Sequence, residues 1–199
     1  MTHRMASFLL FSVLVLVFAH WLIWGDVGTL ASEDGPLEIT AMLLLAIGSV
    51  LSLYLIPSAL LLRYLFVPYV FFQLALREAP VEVWIFDERV LSADFYREAG
   101  VSPASVVGAA YAAVALWSVV AVLLWGSQAA WRGARARAPW FGYFVLGGIL
   151  AVAGQLAEEL MPLAGSEGSR FALQVLEESA ELAFAFLLTL SMVSAWRDA

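Results

Sequence analysis

The chain has 199 residues, 63% hydrophobic and 14% charged, with a formal net charge of −7; soluble domains hold about 45–50% apolar residues. Cysteine and lysine are both absent, which excludes thiolate catalysis, Fe–S clusters and cysteine zinc sites, and a retinal-type Schiff base. His3 and His20 stand too far apart along one helix to hold a haem between them, and no HExxH, GxSxG or phosphate-cradling glycine loop occurs.

The apolar excess falls in runs long enough to cross about 30 Å of hydrocarbon. The expected fold is therefore an all-α integral membrane protein, a single domain over 1–199. About six transmembrane helices form a compact bundle, with an extracytoplasmic interfacial segment between helices 3 and 4. The first span, 8–24, ends in Trp21 and Trp24 and reads as an uncleaved anchor. A cleaved signal peptide is the alternative, because Thr29-Leu30-Ala31 offers small residues at cleavage positions.

The second span, 37–56, follows EDGP. Pro36 fits its first position and Glu38 its third, where capping and the helix dipole account for the acid. A third span, 60–76, follows the turn at Pro57 and carries Pro68 as an expected kink. Only Pro57, Arg63 and Pro68 interrupt residues 39–76, so one span plus a re-entrant piece is the alternative.

Residues 77–102, REAPVEVWIFDERVLSADFYREAGVS, form the one long polar segment. Trp84, Phe86, Phe95 and Tyr96 alternate there with charges, which suits a position at the headgroups. Ion pairs are expected within Arg77-Glu78 and Asp87-Glu88-Arg89. Ser102-Pro103 reads as the N-cap and first residue of a fourth span, 103–125. Small residues recur there at Ala104, Gly108, Ala112 and at Ser105, Ala109, Ala113, letting a neighbour approach closely. That face and the 77–102 segment are the two candidate surfaces for a protein partner.

Residues 126–139, GSQAAWRGARARAP, read as a basic loop. Spans five, 140–161, and six, 170–196, follow, joined by the turn PLAGSEGS. Trp125, Trp131, Trp140 and Trp196 read as an interfacial belt in contact with the lipid bilayer. Six arginines against four favour cytoplasmic N- and C-termini in a multi-pass protein of the cell (inner) membrane. Three arginines in GARAR and its flank are too few to argue for nucleic acid; topology and anionic lipid account for them. Of the seventeen acids, fifteen fall on the opposite face.

Span five ends in QLAEEL and span six opens with QVLEES, so Gln-x-x-Glu-Glu occurs on both arms of one hairpin. At 100° per residue Gln155, Glu158 and Glu159 share an arc of about 100°, as do Gln174, Glu177, Glu178 and Glu181. Counted from Trp140 and Trp196 at 1.5 Å per residue, Glu158, Glu159, Glu177 and Glu178 form one layer near the outer boundary. Gln155 and Glu181 lie about one turn deeper. The helix dipole favours Glu177 and Glu178 but opposes Glu158 and Glu159 at a C-terminus. Glu181, inside the apolar run, needs a partner.

The candidate counter-charges are Arg77, Arg89 and Arg170, retained protons, or a bound cation. Carboxylate and amide oxygens without thiolates suit a hard divalent ion, Ca²⁺, Mg²⁺ or Mn²⁺. Glu159, Glu178 and Glu181 are the nearest to a metal set, with Glu38 and His20 as additional ligands. Three functions are compatible with this pattern. They are a cation or proton site for transport or sensing, a non-catalytic accessory or assembly subunit, and a metal-dependent hydrolase or transferase that lacks a nucleophile motif.

Overall fold

The computed structural model describes residues 35–78 and 102–196, together with positions 15, 19, 23, 31, 32, 95 and 97. The expected first span and most of the 77–102 segment lie outside those residues. Among the described residues, four helices are long and apolar enough to cross a membrane: Pro36–Leu55, Pro103–Arg135, Pro139–Leu163 and Glu167–Trp196. A fifth arises if Ser58–Tyr64 and Phe66–Arg77, bent by 53°, count as one span. No strand occurs among the described residues.

Helix α1 is Pro36–Leu55, with Gly35 as N-cap, proline in the first turn and Glu38 behind it. The proline's missing N–H would have had no helical partner there. The helix stops before Pro57, which drives the preceding residue into extended backbone. A short 3-10 turn leads to α2, Leu61–Tyr64, and then to α3, Phe66–Glu78. The break falls at Leu65 rather than at the expected kink, Pro68. Proline cannot bond to the carbonyl four residues back, that of Tyr64, and its ring clashes with it. The chain therefore bends one turn ahead, and Pro68 ends up in the first turn of α3, where no N–H is required.

Helix α4, Pro103–Ala121, opens with a capping box. Ser102 Oγ accepts from Ser105 N–H at 3.2 Å, and Ser105 Oγ accepts from Ser102 N–H at 2.9 Å. The expected basic loop at 126–139 is corrected by the structure. The helix runs on through a π turn, Val122–Gly126, into α5, Ser127–Arg135. Gln, Ala and Arg are strong helix formers; polar composition alone had pointed to a loop. The true connection is Ala136–Ala138. It closes with Ala138 N–H on Gly133 C=O at 2.9 Å and Arg137 N–H on Ala134 C=O at 3.1 Å. Arg137 takes φ 49°, the left-handed position that glycine usually fills in this motif.

Helix α6 is Pro139–Leu160, and α7 is Glu167–Trp196. The latter begins three residues before the expected Arg170, because Ser166 Oγ accepts from Ser169 N–H at 3.2 Å and caps it.

Side-chain contacts fix the packing order. Gly147 faces Leu187 and Gly154 faces Ala180, so α6 and α7 run antiparallel. Tyr64 meets Trp196 edge-on at 4.9 Å, while Arg77 reaches Glu181, so α3 also runs against α7. Ser49 Oγ donates to Pro68 C=O at 2.8 Å, which sets α1 against α3. The core lies where these helices meet: Ala41, Leu44 and Leu45 of α1, Phe71 and Ala75 of α3, Ala185, Met192 and Val193 of α7. By contrast α4 buries few residues, Ser105, Gly108, Ser118 and Ala121. Of its two small-residue stripes, Gly108 and Ser105 turn inward while Ala109 and Ala113 are exposed.

Candidate functional site

All carboxylates whose side chains are described in 35–77 and 102–196 lie towards one end of the bundle. Glu38 opens α1, Glu158 and Glu159 close α6, and Glu167, Glu177, Glu178 and Glu181 fall in the first half of α7. Arg63, Arg132, Arg135 and Arg137 occupy the other end.

Glu181 is the centre of the acidic end. Its Oε1 accepts from Arg77 Nη2 at 2.5 Å, joining α7 to the last turn of α3. The Glu181 side chain is 18% exposed and that of Arg77 56%. The carboxylate is thus fixed within the bundle while the guanidinium can lean outward along its apolar stem. Arg77 thus reaches across the bundle; its expected pairing with Glu78 lies outside the described side chains. The pair borders a cavity of about 30 Å³ lined also by Gln155, Ala41, Leu45, Ala151 and Phe184, which is room for one water.

Gln155 and Glu181, assigned to one depth by counting residues, therefore line the same cavity. Gln155 Nε2 also donates to Glu158 Oε2 at 2.6 Å, towards the end of α6. Gly154 faces α7 at this level, 3.6 Å from Glu181 Cγ for a Cβ placed there, an ordinary packing distance. Glu178 is buried, 7% exposed, and Glu177 and Gln174 are half-buried, whereas Glu158 and Glu159 are exposed.

The remaining candidates are not drawn into this cavity. Glu38 is half-buried in the first turn of α1. Arg170 is exposed, and its Nε donates to Ala164 C=O at 3.4 Å, tying down the hairpin turn. His20 and Arg89 lie outside the described residues. Among the described residues, no three His, Asp or Glu side chains are gathered as a metal ion would require.

Two features escaped the sequence reading. Tyr111 O–H donates to Gln73 Oε1, and Gln73 Nε2 donates to Tyr69 O–H, each at 2.5 Å, linking α4 to α3. Tyr69, Gln73 and Arg77 stand four residues apart, so one polar stripe runs down α3 to the Glu181 pair. The lone glutamine in FFQLALR was the available signal. The second is the placing of Gly147 and Gly154, seven residues apart, on the face of α6 that meets Leu187 and Ala180 of α7.

No protein-family model, curated protein or solved structure matches the chain.

Proposed function

We propose that the chain is a multi-pass protein of the cell (inner) membrane whose outer half carries a proton-exchanging polar site, used in transport. The observation that carries this reading is the Arg77–Glu181 pair beside the water-sized cavity shared with Gln155. Ionisable groups within a membrane bundle are costly and mark ion or proton pathways when a named partner faces them. Depth supports the same placement. Trp196 at one boundary puts Glu181 about 22 Å away along α7, and Glu177 about 28 Å away, near the opposite headgroups. With the arginine end facing the cytoplasm, the cluster opens outward and Gln155 passes hydrogen bonding on to Glu158.

A proton suits the geometry better than a divalent ion. Arg77 already balances Glu181, and among the described residues no three carboxylates converge. The test is proton flux into proteoliposomes under an imposed pH difference, followed with an internal pH dye. Wild-type protein should exceed protein-free vesicles, and Glu181→Gln should reduce the excess at least tenfold. Wild-type flux no faster than that of empty vesicles sinks the reading.

A second reading, an accessory subunit, has its own observation. Helix α4 leaves Val106, Val107, Leu116, Val119 and Val120 exposed, alongside Ala109 and Ala113. A stoichiometric partner retained in mild detergent, and lost with Ala109→Leu plus Ala113→Leu, would favour it.

A further inference from the structure

At the arginine end, the π turn, α5 and the ends of α3, α6 and α7 surround an open cavity of about 680 Å³. That volume lies within the range of about 300–1,000 Å³ for small-molecule sites. Phe66, Val70, Leu123, Trp140, Leu188 and Trp196 supply apolar wall. Trp140 and Trp196, expected only as interfacial belt, thus face a shared recess. Gly133 makes it possible: a Cβ there would overlap the Trp140 ring.

Charge identifies what fits. Arg132 and Tyr64 also line the cavity, with Arg132 Nη2 3.5 Å from Tyr64 Oη. Arg63 lies 5.7 Å over the Tyr64 ring and Arg137 follows the lining residue Ala136, whereas Arg135 turns to the Trp131 ring, 4.8 Å from its centroid. No Asp or Glu occurs in 39–77, 102–157 or 182–196, so no carboxylate in these segments offsets those cations. A long apolar recess with a cationic rim complements an amphiphile that has an apolar tail and an anionic head.

We propose that this cavity binds one acyl chain of an anionic glycerophospholipid, with its phosphate held at Arg132, on the side where Arg63 stacks on the lining residue Tyr64. The inference rests on the membrane placement proposed above but not on proton exchange, and its test does not involve flux.

The full chain, stripped of lipid in detergent, is titrated by native mass spectrometry. The probes are phosphatidylglycerol, phosphatidylcholine with the same acyl chains, and inorganic phosphate. One phosphatidylglycerol should bind at concentrations where phosphatidylcholine does not, and inorganic phosphate should not compete. Arg132→Gln, at an exposed side chain that leaves the core intact, should weaken binding about fivefold, as expected for one arginine near an anionic headgroup. Ala130→Phe, which fills the recess, should weaken both lipids. Equal binding of the two lipids, unchanged affinity in both variants, or competition by inorganic phosphate would each overturn the site. So would a co-purifying polypeptide that blocks lipid uptake.

Discussion

Glu181 and Arg77 are unequal partners. With Arg77 removed, the carboxylate stays in the bundle at 18% exposure without its cation; with Glu181 removed, the guanidinium can swing outward, being 56% exposed already. Breaking a fully buried pair costs about 3–5 kcal/mol, and the exposure here reduces that towards the surface-pair range. We expect Arg77→Leu to destabilise by about 1–2 kcal/mol and Glu181→Gln by less than about 1 kcal/mol, read from thermal melting in detergent. Equal losses would mean that Arg77 does not serve mainly to hold the Glu181 charge.

Arg137 gives an independent test of backbone conformation. At φ 49° it carries a side chain where glycine is free of strain. Arg137→Gly should stabilise by roughly 1 kcal/mol, read from thermal melting in detergent, and an unchanged or lower melting temperature would contradict the left-handed turn. The sequence offered no sign of this, because helices end at left-handed residues of any type and only glycine or asparagine announces it.

At the scale of the helices, glycine positions that look alike in sequence have different neighbours. A Cβ at Gly48 would lie 2.5 Å from the Phe71 ring, whereas one at Gly148 would meet nothing within 4 Å. Gly48→Ala should destabilise by about 1–3 kcal/mol through overpacking, and Gly148→Ala should be neutral or mildly stabilising. Melting of the two variants side by side checks whether α1, α3 and α7 meet at Gly48. Apolar run length was enough to place α1, α6 and most of α7, since period and length are local properties. The Ser102 cap was equally legible, because Ser-Pro before an apolar run is a local signal. Helix α5 was not legible: arginine-rich composition suits a loop and an amphipathic helix alike, and the difference lies in packing. The bend at Leu65 was displaced from Pro68 for a related reason, since proline acts on the turn before it.

For the whole molecule, the candidate site was legible as two Gln-x-x-Glu-Glu segments at one depth, because the hairpin is short and the helices are regular. Which arginine faced the cluster was not. Arg77 lies 104 residues from Glu181, and no local pattern encodes that meeting. The absence of cysteine makes orientation directly measurable. Ser166→Cys should react with a membrane-impermeant maleimide from the outside of intact spheroplasts, and Arg137→Cys only after permeabilisation. The reverse pattern would invert the proposed topology and place the acidic end in the cytoplasm.

The central claim, that the Arg77–Glu181 pair exchanges protons rather than only tying α3 to α7, is tested most directly by reversing it. Arg77→Glu combined with Glu181→Arg keeps an ion pair between the same helices. If the site carries protons, the swapped protein should melt near the wild type yet show no flux above protein-free vesicles. A swapped protein with both wild-type stability and wild-type flux would contradict the account.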